Sequence, residues 1–299
     1  MAISSRSSKV RPASQIGFLL VHLLPFAALY TGATRFDWIV CGVLYLVRMF
    51  FVTAGYHRYF AHRTYKTSRF FQFVLAFMAQ TSAQKGVLWW SANHRTHHKY
   101  SDTEKDPHSM KRFGFWYSHV GWIMVPDYEP TRFELVKDLQ KYPELVWLNR
   151  YYLIPPILLG ALVTITGGVV NGGSIHTAFS AGWSTLWIGF FLSTVILYHA
   201  TFSINSLMHR FGRARYKTGD ESKNSLWLAL ISLGEGWHNN HHYYQRSTRQ
   251  GFYWWEIDLT YYGLKVLQYL GLVWDLHGVP EHVRSAPDKL TTSSRASNA

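Results

Sequence analysis

The chain has 299 residues, 48% of them hydrophobic and 17% aromatic, and a formal charge of +13. Its single cysteine, Cys41, excludes an intrachain disulfide framework and a cysteine-based zinc site, so metal chemistry must rest on nitrogen, and sixteen histidines offer it. The basic charge follows apolar segments rather than forming a nucleic-acid patch, and nucleic-acid binding is set aside.

Residues 1–14 are polar and basic (Arg6, Lys9, Arg11) and read as a disordered lead without a signal-peptide pattern. Four apolar stretches follow, at about 15–33, 37–56, 151–170 and 183–203, each near the ~20 residues a helix needs to cross the hydrocarbon. Twenty-eight of the 30 Lys and Arg lie in the lead, in 57–150 and in 204–299. That asymmetry predicts four spans, with both termini and the long middle segment in the cytoplasm. Arg48 falls inside the second span and must face protein or water, or snorkel to the interface. Residues 69–90 carry Gln72, Gln80, Gln84 and Lys85 and read as an interfacial amphipathic helix, not a fifth span. Residues 15–284 form one domain, and 285–299, rich in Ser, Thr and Ala, read as a disordered tail.

Three histidine clusters stand out. His57 and His62 are spaced HX4H, while His94, His97 and His98, and again His238, His241 and His242, are spaced HX2HH. At this histidine content one HX2HH is expected by chance roughly 0.05 times. On a helix, i, i+3 and i+4 share a face, so each HX2HH aims three imidazoles one way. Residues i and i+5 stand about 140° apart on an α-helix, so HX4H suits a helix end that turns His62 back. Imidazole suits Fe, Zn, Cu and Ni, and eight ligands are too many for one ion, so two metals are expected. His209 follows the fourth stretch, with Asn205 one helical turn earlier; the spacing alone leaves its role open.

Gly55-Tyr-His57-Arg-Tyr-Phe-Ala-His62, His94-Arg-Thr-His97-His98-Lys-Tyr-Ser-Asp102, Asn205-Ser-Leu-Met-His209 and Gly234-Glu-Gly-Trp-His238-Asn-Asn-His241-His242 resemble, in order and spacing, the boxes of membrane fatty acyl desaturases of the stearoyl-CoA Δ9 type. The resemblance runs from about the second span to residue 282. It implies an all-α integral membrane protein of four transmembrane helices, a cytoplasmic helical cap and a kinked acyl tunnel. It also implies two iron ions held by His57, His62, His94, His97, His98, His209, His238, His241 and His242, with Asn205 reaching one iron through a water. The implied activity is O2-dependent desaturation of a fatty acyl chain, at the Δ9 position, consuming two electrons and two protons. No haem-binding His-Pro-Gly-Gly occurs in the chain, so the electrons are expected from a separate donor of ferredoxin, rubredoxin or cytochrome b5 type.

Asp102, Asp106 and Glu235 are candidates to receive the second N–H of ligating histidines. His22, His108, His119, His176, His199, His277 and His282 lack ligand spacing and read as structural or exposed. The Arg-Asp pair that animal acyl-CoA enzymes place before the second box is replaced here by Ala92-Asn93, which leaves the head group open between acyl-CoA, with Lys111 and Arg112 near phosphates, and a lipid-linked chain. Of the two membranes considered, the bacterial inner membrane is preferred to the endoplasmic reticulum. The rival readings are a di-iron membrane hydroxylase or ketolase, and a non-enzymatic metal-binding or transport protein of the membrane.

Overall fold

The computed structural model describes residues 12–173 and 175–286. The chain is mostly helical among them. α1 covers Pro12–Leu23, so it begins inside the stretch expected to be a disordered lead; residues 1–11 and most of the expected tail lie outside the described residues. The first apolar stretch is helical but not α-helical throughout. Pro25 cannot donate to the helical ladder, and the chain passes through a 3-10 turn at Leu24–Ala27 into one turn at Ala28–Thr31.

α2 (Arg35–Phe51) starts at a capping box in which Thr34 and Asp37 satisfy each other's backbone N–H. It continues without a break as a π-helical segment, Val52–Ala61. α3 (Arg69–Gln80) and α4 (Val87–Tyr100) follow, then α5 (Met110–His119), α6 (Pro143–Arg150), α7 (Ile154–Gly172) and α8 (Ile175–Thr185). α8 runs through a second π-helical segment, Leu186–Leu192, into α9 (Ser193–Ser206). α10 (His238–Tyr243) and α11 (Leu259–Tyr269) complete the described helices used below. A two-residue pair of antiparallel strands, Lys66–Thr67 with Val273–Trp274, ties the turn after α2 to the end of α11.

Among the described residues three helices are long and apolar enough to cross a membrane: Arg35–Ala61, Ile154–Gly172 and Ser180–His209. The apolar helix at Ile16–Thr31 is shorter. α7 and α8 fold against each other closely enough that a Cβ on Gly182 would lie 2.2 Å from the Thr164 carbonyl oxygen, so only glycine fits. Arg48 does not snorkel. It is fully buried, with Nη1 donating to Thr194 Oγ1 at 2.7 Å and Nη2 to Ser193 Oγ at 2.5 Å.

The helix expected over 69–90 is broken at 81–86, where Ala83 and Lys85 adopt positive φ. The break is held by Tyr198 OH donating to the Ala83 carbonyl (2.8 Å) and Tyr56 OH to the Lys85 carbonyl (2.7 Å). It restarts the chain as α4 with a borrowed cap. Asn149 Oδ1, from α6, accepts from the N–H groups of Leu88 and Trp89 at 3.1 and 3.0 Å. A side chain on Gly86 would occupy that amide's place, its Cβ 2.2 Å from Asn149 Oδ1. The main core, with Val52, Tyr56, Phe60, Leu75, Leu88 and Leu145, locks α3, α4 and α6 around the π-helical end of α2. Two histidine-bearing segments, the π-helical end of α2 and α4, are thereby brought together.

Candidate metal centre

The π-helical winding of Val52–Ala61 solves the HX4H spacing. Hydrogen bonding from i+5 to i stacks residues five apart, and the His62 N–H bonds the His57 carbonyl at 3.2 Å. The helix ends with His62 as its cap, as expected, but it is this winding that brings the His57 and His62 rings to 4.8 Å between centroids.

α4 and α10 each divide their three histidines. His94 and His98 join His57, His62 and His241 in one group of five; His97 joins His209, His238 and His242 in a group of four. An i, i+4 pair thus serves one group and the remaining histidine the other, with the roles exchanged between the two helices. The expected single direction for each HX2HH is corrected here: neighbouring helical residues diverge by about 100°, enough to address two centres.

The Nε2 atoms face inward. His57 and His241 approach to 3.0 Å, His62 and His94 to 2.9 Å, His94 and His98 to 3.0 Å, and His98 and His241 to 2.9 Å. In the second group His97 and His242 stand 3.3 Å apart and His209 and His238 3.1 Å.

Outward-facing Nδ1 atoms meet carboxylates. His97 faces Asp106 at 3.0 Å, His209 faces Asp102 at 3.1 Å, His242 faces Asp220 at 2.6 Å, and His57 pairs with Glu235. A carboxylate only accepts, so each of these Nδ1 atoms carries the proton and leaves Nε2 as a bare lone pair. In His97 and His242 two such bare lone pairs stand 3.3 Å apart and repel unless a cation sits between them. Metal–imidazole bonds of about 2.1 Å, set at right angles, separate ligand nitrogens by about 3.0 Å, close to the spacing found. The residues therefore fit two metal ions held by nitrogen.

Electrostatics agree for five of the nine histidines, while for His97 burial is overcome by the Asp106 carboxylate, which raises it. Burial and the neighbouring histidines push His62, His94, His98, His238 and His241 well below the usual imidazole range, so they are neutral and able to ligate. Burial is the largest influence on Asp102 and would raise it, but the hydrogen bond and charge of His209, the Glu221 N–H and the Ser109 hydroxyl together outweigh it and bring the carboxyl to about 2. Asp106 and Asp220 are likewise held low against the pull of burial, by His97 and His242.

Asp220 lies 22 residues before His242 with no spacing to mark it, and the sequence did not single it out. The same holds for Gln250, which donates from Nε2 to Glu235 at 3.1 Å, and for Arg58, which pairs with Glu235 at 3.1 Å and Asp258 at 2.9 Å. Asp220→Asn keeps the loop's shape but removes the charge behind His242. Metal affinity should fall about 10–100-fold, read as faster loss of bound metal to a chelator; retention equal to wild type would refute this role for Asp220.

An apolar cavity of about 410 Å3 reaches the five-histidine group at His94 and Asn205, walled by Trp90, Trp122, Tyr198 and Phe202. A smaller one continues past Asn205 to Met49, Val52 and His238. Asn93, which accepts from Arg132 Nη2 at 2.8 Å, and Lys85 line the larger cavity. Lys111 and Arg112 do not; Lys111 pairs with Glu221 at the surface, at 3.0 Å. His108 stands beside His97 and Asp106. His22, His199 and His119 form a hydrogen-bonded row away from the two groups.

The sequence model of the family described as fatty acid desaturase matches residues 36–274. The chain is 36% identical to the sn-1 stearoyl-lipid 9-desaturase of Anabaena variabilis, over 84% of this chain and 91% of that one. It is 35% identical to the acyl-CoA 5-desaturase AL21 of Anemone leveillei, over 88% and 78%. It is 36% identical to the hex-5-enoyl-[acyl-carrier protein] acetylenase of Moorena producens (strain JHB), over 87% and 85%.

Proposed function

The chain belongs to the fatty acid desaturase family, whose members introduce double bonds into acyl chains, and from that premise we propose that it desaturates a fatty acyl chain at Δ9, using O2, at a di-iron centre. The observation that carries this reading is the apolar cavity that ends on His94 and Asn205. A metal-transport protein has no use for an apolar cavity that ends on its ligands; an acyl chain needs one.

In this reading His57, His62, His94, His98 and His241 hold one iron, and His97, His209, His238 and His242 the other. Asn205, which lines both apolar cavities, reaches an iron through a water. Iron bound there would supply the O2-dependent oxidation of an unactivated C–H bond. The protein's own part is positional. Glu235, Asp102, Asp106 and Asp220 fix ring orientation and tautomer, and Trp90, Phe202 and Tyr198 exclude water and align the chain. No side chain is required as a general acid or base on the substrate.

The proposal places four helices across a membrane, the bacterial inner membrane, with both termini and a helical cap in the cytoplasm. The charge asymmetry supports it; the three long apolar helices supply three of the spans, and the shorter helix at Ile16–Thr31 the fourth. The substrate's carboxyl end lies near Lys85 and Asn93, and its head group is coenzyme A or a lipid.

Expression with iron and an electron donor, followed by mass spectrometry of total fatty acids with double-bond localisation, tests the reading. A new Δ9 monoene is expected. A hydroxy acid in its place would assign the chain to hydroxylation.

A further inference from the structure

We propose that a basic cavity over His62 and His98 is the docking and electron-entry site for an acidic one-electron carrier protein. The inference rests on the desaturase reading. Each turnover takes two hydrogens from the acyl chain and reduces one O2 to two waters. The balance requires two electrons and two protons from outside, so two reduced carriers are each oxidised by one electron.

The five-histidine group meets two cavities of opposite character. His94 faces the apolar one. His62 and His98 line a second, of about 440 Å3, whose lining holds three cations, Arg95, Lys99 and Arg246, and no carboxylate. An acyl chain has no use for such a lining, and the smaller apolar continuation leads elsewhere. Three of the chain's 30 Lys and Arg stand in this lining, directly beside two of the clustered histidines.

The cations are fixed by the same segments that carry the histidines. Lys99 follows His98 and lies over the Tyr100 ring, which Lys105 also approaches. Arg246 is exposed four residues past His242. Arg95 is rigid: Asp138 receives both its Nη groups, at 2.7 and 3.0 Å, and the carbonyls of Phe60 and Ala61 accept from it. Arg63 shares Asp138. Arg95 thus shapes the wall, while Lys99 and Arg246 offer charge to a partner. Edges of two ligating imidazoles reach the cavity, so a docked carrier would meet the centre with no intervening polypeptide.

The full-length iron-loaded protein tests this. Stopped-flow oxidation of reduced [2Fe–2S] ferredoxin, and separately of the soluble acidic domain of cytochrome b5, gives the rate of electron delivery. Photoreduced deazariboflavin, small and uncharged, is the control. In Arg246→Glu and Lys99→Glu the carrier rate at low salt should fall on the order of tenfold and its salt dependence should flatten. The deazariboflavin rate and iron content should hold. Unchanged carrier rates, equal loss with deazariboflavin, or a wild type that accepts electrons from deazariboflavin but from neither carrier would overturn the proposal. Failure of the desaturase reading looks different: photoreduced, iron-loaded wild type would give no unsaturated product with O2 although carriers still reduce it.

Discussion

His241→Ala abolishes the formation of unsaturated product and lowers bound metal below two ions per chain. The expectation follows from where the imidazole stands. Its Nε2 lies 3.0 Å from that of His57 and 2.9 Å from that of His98, so it closes the five-histidine group between the π-helical end of α2 and α4. No water held by alanine can replace a neutral nitrogen donor from α10 at that point. Activity should fall by at least a factor of about 10³, as for loss of a group that acts only as part of a set. Metal analysis and product analysis on one preparation decide the matter. Two ions with full activity would show that His241 is not a ligand.

The second large effect falls on stability. Arg58 is buried completely, in a span end, between the carboxylates of Glu235 and Asp258. Arg58→Met leaves two buried negative charges facing each other without a cation. Removing one partner from a buried ion pair costs about 3–5 kcal/mol, enough to remove much of the stability of an ordinary domain. The variant should unfold at a markedly lower temperature in detergent. Adding Asp258→Asn should recover part of the loss, since one unpaired charge is removed. A thermal midpoint equal to wild type would contradict this account of Glu235, because the carboxylate behind His57 would then need no partner.

Much of the metal centre was legible in spacing. HX2HH on a helix needs only 3.6 residues per turn to be read as a ligand face, and α4 and α10 bear those histidines as helices. Spacing could not divide them between two ions, because that depends on how α4 and α10 cross, a tertiary fact. HX4H was read against an α-helix; the π-helical winding that sets His62 edge-on to His57 has no signature in residue types. Asp220 was invisible because its partner is distant in sequence and its loop carries no regular period. The apolar stretches were found at nearly their true places. The helix read over 69–90 hid a break at 81–86, because that break is set by hydroxyls of Tyr56 and Tyr198 that reach it from other helices.

The donor set of the two groups is imidazole alone, with the carboxylates held one shell back. Such a site sets no preference for iron. By the ordinary order of divalent stabilities, neutral nitrogen donors hold copper and zinc more tightly than ferrous iron. In the proposed reading the protein's geometry would fix how many ions it takes and where, while their identity would be decided by the metal supply of the compartment in which the chain folds. A cell rich in zinc would fill the same nine nitrogens with an ion unable to change its charge, and would produce a folded, fully loaded and inert protein.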